Sequence, residues 1–208
     1  HPLIFLFFGG FLLSLAMRRW GLDRRIALLT LRLVATSPSR MGLGFMIATA
    51  VLSAFVSNTA TAAMMLPIAM SVVHLVPEAM DPSWEHSPIK RQPDEEANFA
   101  PCLMLGIAYA ASIGGLATII GTPPNVFLIS FVRDSIAAPY RTEISFARWM
   151  IVGVPLAILL LPLVWYLLTR WLFPVGQRPM RAGRDLVKRE LKALGPANAG
   201  EIATFTLF

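Results

Sequence analysis

The residues with chemistry to offer in this chain are neutral ones. Two short polar clusters interrupt long apolar runs: Ser57-Asn58-Thr59, with Ser53 one helical turn earlier, and Gly121-Thr122-Pro123-Pro124-Asn125. Both are rich in hydroxyl and amide oxygens, and neither has an Asp, Glu, His or Lys beside it. A serine nucleophile needs a base to take its proton, and no such group lies near Ser53 or Ser57 in sequence. Neutral oxygens and helix ends are better suited to holding a small cation and an anion than to making or breaking covalent bonds.

At membrane depth a non-helical backbone survives only when it is buried in protein or lines a watery cavity, because each unsatisfied polar group is costly there. Half-helix N-termini then turn positive dipole ends toward an anion, while unwound carbonyls and half-helix C-termini hold sodium. On this reading the first arm of the Ser-Asn-Thr segment ends near Ser57, giving its last carbonyls and the Ser53 and Ser57 hydroxyls to a cation. The second arm begins at about Thr59 and presents its N–H groups, with the Asn58 and Thr59 side chains, to an anion. A purely structural reading competes with this one. Ser, Asn and Thr are ordinary helix caps, Ser or Thr alone can join packed membrane helices, and Gly121 to Asn125 can be a proline kink. Two such breaks in one short chain, each flanked by apolar arms, favour a site.

The elements that must carry these clusters are set by composition. Of the 208 residues, 56% are hydrophobic and 14% charged, against about 25% charged in a typical soluble domain. The 12 acidic residues lie in or beside polar segments and never in the middle of an apolar run, so the intramembrane carboxylate of a proton relay is missing from this sequence. His74 falls near the end of an apolar run, where an interfacial role is expected, and His1 and His86 are more peripheral. The single cysteine, Cys102, has no partner for an internal disulfide. The net charge of +6 sits between hydrophobic runs and does not interleave with aromatics, which argues for the positive-inside rule and against nucleic acid.

The pattern predicts an all-α polytopic membrane protein. Residues 1–17 read as the end of a transmembrane helix. Residues 18–38 form an interfacial amphipathic helix in which Leu22, Ile26, Leu29 and Leu33 recur at helical spacing and Arg24, Arg25 and Arg32 fall elsewhere. The apolar segment 41–76 is too long for one span of about 20 residues and too short for two with a turn, which predicts a re-entrant helix hairpin. A cytoplasmic loop follows at 77–98. Residues 99–132 then form a discontinuous transmembrane helix, interrupted at Gly114-Gly115 and at Gly121 to Asn125. Residues 149–173 make a full span, 174–200 a basic cytoplasmic segment, and 201–208 the start of a further helix. Neither end resembles a natural terminus, so the chain is expected to be part of a larger membrane transport domain. Six Lys and Arg lie between Arg18 and Arg40 and six between Arg178 and Lys192. Both groups face the cytoplasm only if 41–76 goes in and comes back.

The run Leu52-Ser53-Ala54-Phe55-Val56-Ser57-Asn58-Thr59-Ala60-Thr61, with Met64-Met65-Leu66-Pro67 after it, resembles the first Ser-Asn-Thr hairpin of the divalent anion:sodium symporter family. Ser112-Ile113-Gly114-Gly115-Leu116-Ala117-Thr118, leading into Gly121-Thr122-Pro123-Pro124-Asn125, is similar to that family's next motif, and Gly9-Gly10-Phe11 through Arg18-Arg19-Trp20 fits as well. The resemblance covers nearly the whole chain. It implies one of two inverted repeats of a sodium-coupled carrier, not an enzyme, working as a homodimer in the plasma (inner) membrane. It also implies an elevator-type movement and a small divalent anion as cargo, most naturally a C4-dicarboxylate. Carried over, Ser53, Ser57, Asn58 and Gly121 would bind sodium as the coupling ion, with no other cofactor. Asn58 and Thr59 would touch a substrate carboxylate, and Thr122 and Asn125 match the substrate motif. The second Ser-Asn-Thr hairpin of the family pattern is absent from this sequence, and the 77–98 loop is long for it. A proton-coupled or exchanging carrier of sulfate, citrate or arsenite is the nearest alternative; a channel or an intramembrane enzyme stands further off.

Overall fold

A computed structural model of the chain describes residues 2–34, 37–75, 93–137, 143–175, 188–189, 191–196 and 198–207, and all regular structure among them is helical. The elements used below are α1 (Pro2–Trp20), α2 (Leu22–Val34), α3 (Pro38–Ser53), α4 (Asn58–Leu75), α5 (Pro93–Ala117), α6 (Pro123–Ser135), α7 (Phe146–Leu167) and α8 (Ala199–Leu207). A π-helical turn, Leu168–Leu172, prolongs α7. Most of the expected 77–98 loop, most of the basic 174–200 segment, His1 and His86 lie outside the described residues.

Local chemistry explains where these helices start. Ser37 and Ser145 sit in extended conformation before α3 and α7, and their side chains accept the N–H groups of Arg40 and Arg148. Each satisfies a donor that the first helical turn leaves without a partner. Pro38 and Pro123-Pro124 occupy first-turn positions, where a missing N–H removes no hydrogen bond. Among the described residues, two apolar stretches are long enough to cross a bilayer: Asn98–Ala117, 20 residues, and Phe146–Leu172, 27 residues. At 1.5 Å per residue the first is about 30 Å, the thickness of the hydrocarbon layer.

The helix α5 continues through Gly114-Gly115 instead of stopping there. The glycines serve helix contact: a Cβ on Gly114 would lie 2.2 Å from the Ala50 carbonyl oxygen of α3. Small residues at a crossing let two membrane helices approach backbone to backbone. Gly106 meets Met46 lower on the same pair, so α3 and α5 run in the same direction. The helix α7 runs against both, its Trp149 indole donating to Leu116 O at 2.9 Å and its Trp165 indole to Ser39 O at 2.9 Å. Met41, Phe45, Ala48 and Leu52 of α3, Met65, Ala69 and Val72 of α4, and Phe99, Leu103 and Ile107 of α5 share one buried cluster.

The amphipathic α2 follows a sharp corner at Gly21, whose φ of +72° is left-handed and suits glycine. The expected apolar stripe is only partly buried. Leu22, Ala27 and Leu28 enter the core, while Leu29 is exposed, because α2 packs sideways on α3. Arg25 of α2 fastens this corner to the start of α8. Its guanidinium donates to Glu201 Oε2 at 2.9 Å, to Gly195 O at 3.0 Å and to Pro196 O at 3.3 Å. Glu201 is buried and closes a capping box: its carboxylate accepts Asn198 N–H and its own N–H donates to Asn198 Oδ1. The Trp20 ring lies against Gly200, where no Cβ would fit.

Candidate ion and substrate site

The two polar clusters meet. The chain leaves α3 at Ser53, turns through Ala54 to Ser57, and enters α4 at Asn58. It leaves α5 at Ala117, turns through Thr118 to Thr122, and enters α6 at Pro123. The first helix thus ends a full turn before Ser57, the position the sequence suggested. Ser57 instead begins α4: its carbonyl accepts Thr61 N–H at 2.9 Å and its hydroxyl accepts Ala60 N–H at 3.4 Å. The capping role weighed from the sequence therefore holds for the Ser57 side chain, which is exposed.

Ser53 lies at the centre. It is fully buried, and its hydroxyl oxygen is 2.7 Å from Asn58 Oδ1 and 2.7 Å from Ala111 O. A hydroxyl has one proton to give, so it can serve only one of these two acceptors. The other close oxygen pair is left with facing lone pairs. Either a half-turn of the Asn58 amide or a cation among the three oxygens relieves that repulsion.

The second break is built as a wall beside this cluster. Asn58 Oδ1 presses on Gly115, where a Cβ would stand 2.4 Å away, and a Cβ on Gly121 would stand 2.6 Å from Gly115 O and 3.0 Å from Ser53 O. Gly121 is thus brought to the Ser53 backbone, as a shared ion site would need. Thr118, buried, joins the two turns: its hydroxyl donates to Ala54 O and accepts Gly121 N–H at 3.1 Å. Asn125 is also buried, and its amide nitrogen donates to Gly115 O and Thr118 O, both at 2.8 Å. Its two amide protons tie the break together. Thr122 is half-buried and takes the N-cap position of α6 without using its side chain as a cap. Thr59 is exposed and Asn58 half-buried, at the positive end of α4.

Ser53, Asn58 and Gly121 therefore come together, Ser57, Thr59 and Thr122 are more open, and Asn125 is buried against Gly115 and Thr118. Among the described residues no group of three or more His, Cys, Asp or Glu gathers anywhere. Sequence reasoning missed the carbonyl of Ala111, which leaves no mark in side-chain identity. It also missed Thr118, three residues before Gly121, where a hydroxyl commonly bonds a turn N–H. The Trp149 indole, another feature with no local sequence signal, caps Leu116 O near the end of α5.

The citrate transporter family, CitMHS, matches residues 1–197. The chain is 41% identical over 208 residues to the sodium-dependent dicarboxylate transporter SdcS of Staphylococcus saprophyticus, a match covering all of this chain and 38% of that protein. It is 39% identical over the same length to SdcS of Staphylococcus aureus strains USA300 and NCTC 8325, again 38% of each. The chain thus spans little more than a third of these relatives. The family and these relatives are transporters, not enzymes, and transporters of this kind are integral membrane proteins. With all regular structure among the described residues helical, two bilayer-length apolar helices among them, and a family match over residues 1–197, the chain belongs to the CitMHS citrate transporter family.

Proposed function

We propose that this chain supplies one half of the binding site of a sodium-coupled symporter for a small divalent anion, a C4-dicarboxylate before citrate. The observation that carries the proposal is the crowding of Ser53 Oγ, Asn58 Oδ1 and Ala111 O around a single proton. Sodium at this point, held by Ser53, Asn58 and Gly121 with Ser57 at its edge, turns the repulsion into coordination. The exposed N-terminal turn of α4, with Asn58 and Thr59, then meets a carboxylate, and Thr122 borders it. Asn125 belongs to the same site as the residue that holds its wall. The names of the SdcS relatives support both sodium and a dicarboxylate; the family description supports citrate as the second candidate.

The proposal extends to architecture. At about 24 and 27 Å, α3 and α4 each fall short of the hydrocarbon thickness and share one buried cluster, which supports a re-entrant hairpin. With α5–α6 as the discontinuous helix, this is one inverted repeat of an elevator-type carrier, homodimeric and in the plasma (inner) membrane. The decisive experiment is uptake of labelled succinate and citrate by the full-length carrier in proteoliposomes under an inward sodium gradient. Sodium-driven, saturable succinate uptake that stops when choline replaces sodium is expected. Uptake driven equally well by a proton gradient alone would refute the coupling ion. Rapid labelling of a cysteine at Ser87 by an impermeant outside reagent would refute the hairpin.

A further inference from the structure

One hydroxyl next to this site has no use in the site so far described. Thr61 is fully buried, and its Oγ1 has no protein hydrogen-bond partner. Six other helical hydroxyls share one pattern, from which Ser53, bonded to Asn58 and Ala111, and Thr206, bonded three residues back, depart. Thr30, Thr49, Ser71, Ser112, Thr169 and Thr204 each donate back to the carbonyl four residues earlier, at 2.6 to 3.2 Å. The corresponding carbonyl for Thr61 is Ser57 O, which is in place and accepts the Thr61 backbone N–H, yet the Thr61 hydroxyl does not bond to it.

Its position gives that hydroxyl a destination. Thr61 heads a buried stripe of α4 that continues through Met65, Ala69 and Val72, and it is the stripe's polar end. Residues three apart on a helix are surface neighbours, with Cβ atoms about 5–6 Å apart, so Thr61 lies one turn below Asn58 on α4. Asn58 Oδ1 is the atom that crowds Ser53 Oγ. A buried hydroxyl without a partner carries an uncompensated desolvation cost, and valine would fill the same space without it.

We propose that the Thr61 hydroxyl is an additional oxygen ligand of the cation held at Ser53 and Asn58. This rests on the reading of that place as a sodium site, and it adds a ligand that neither the Ser-Asn-Thr tripeptide nor the second break supplies. A threonine hydroxyl that donates to no protein acceptor has two lone pairs to offer a cation and a proton that can turn away from it, as a neutral oxygen ligand requires.

The test uses the full-length carrier with Thr61→Val, Thr61→Ser and Ser53→Ala. Two quantities are read: the sodium concentration for half-maximal succinate uptake, and the rise in melting temperature that sodium chloride gives over choline chloride in detergent. Thr61→Val should raise the sodium requirement about tenfold, a ratio equivalent to roughly 1.4 kcal/mol, and shrink the sodium-dependent rise in melting temperature. Thr61→Ser should restore both. If Ser53→Ala shifts the sodium dependence and Thr61→Val does not, the sodium site stands and the Thr61 assignment is overturned. If neither variant shifts it, the sodium site itself falls. The melting measurement decides the matter even where Thr61→Val transports too slowly to assay, and a parental sodium response there overturns the proposal.

Discussion

The two breaks in the helical framework use the same kinds of residue in opposite ways. At the α3–α4 turn the polar groups reach beyond their own segment: Ser53 touches Ala111 of α5 as well as Asn58, Asn58 presses on Gly115, and Thr59 is exposed. At the α5–α6 turn most of them fold back: Asn125 gives both amide protons to Gly115 and Thr118, Thr118 accepts from Gly121, and the Thr118 proton alone crosses to Ala54 O. Low exposure follows, with Thr118 and Asn125 buried and Ser57 and Thr59 open. The lesson is that a polar interruption of a membrane helix is not by itself a ligand site. A break whose hydrogen bonds close internally is a rigid wall, and a break whose groups remain uncommitted is the face that can exchange partners.

If that contrast is right, Asn58→Ala has the largest functional effect. In the proposed site it removes the one side chain assigned to ion, anion and wall together, and sodium-dependent uptake should fall about a hundredfold or more while expression and melting behaviour stay near those of the parent. Normal uptake at equal expression would reduce the tripeptide to a helix cap. Asn125→Ala should do the reverse of a ligand mutant. Losing two buried hydrogen bonds costs about 1–3 kcal/mol for each carbonyl left unsatisfied, so the carrier should melt several degrees lower with sodium and without it. A normal melting temperature with lost succinate affinity would make Asn125 a substrate ligand after all.

The contrast within the first break is finer. Ser53→Ala should raise the sodium concentration for half-maximal uptake, by about tenfold for the loss of roughly 1.4 kcal/mol, more than it alters the choice of substrate. Thr59→Ala should act chiefly on substrate affinity or choice. Some cross-effect is required, since the two binding events are thermodynamically linked. The opposite pattern would mean that the ion and anion ends of the turn have been interchanged. The smallest effect is expected at Trp149→Phe, which removes the indole N–H from Leu116 O. A net loss of about 1 kcal/mol in stability with sodium dependence unchanged would mark that contact as support for the wall.

Much of this was legible in the residues, because helix breakers and polar atoms in apolar runs are local signals. Ser53, Asn58 and Gly121 each stand out in the sequence as a polar or helix-breaking residue within an apolar run. The contact itself was not legible, since it depends on how α3 crosses α5 at Ala50 and Gly114. Helix ends were misplaced for a related reason. The turn from Ala54 to Val56 is apolar and carries no turn signal, so residue types alone carry α3 on to Ser57. Conversely Gly114-Gly115 looked like an interruption, and tertiary packing against Ala50 and Asn58 overrides that weak local cost. Asn125 was grouped with Thr122 by motif, and only its hydrogen bonds separate the two.

The absence of formal charge from the meeting of the two breaks also bears on membrane voltage. A carrier must bring its site back after releasing cargo, and moving one elementary charge through the membrane potential is worth about 2.3 kcal/mol per 100 mV. The residues gathered here, Ser53, Ser57, Asn58, Thr59, Thr118, Gly121 and Asn125, contribute no charge to that return. In the proposed carrier this half of the site is therefore electrically silent when empty, and the voltage acts on it only through the ions and the anion that it holds.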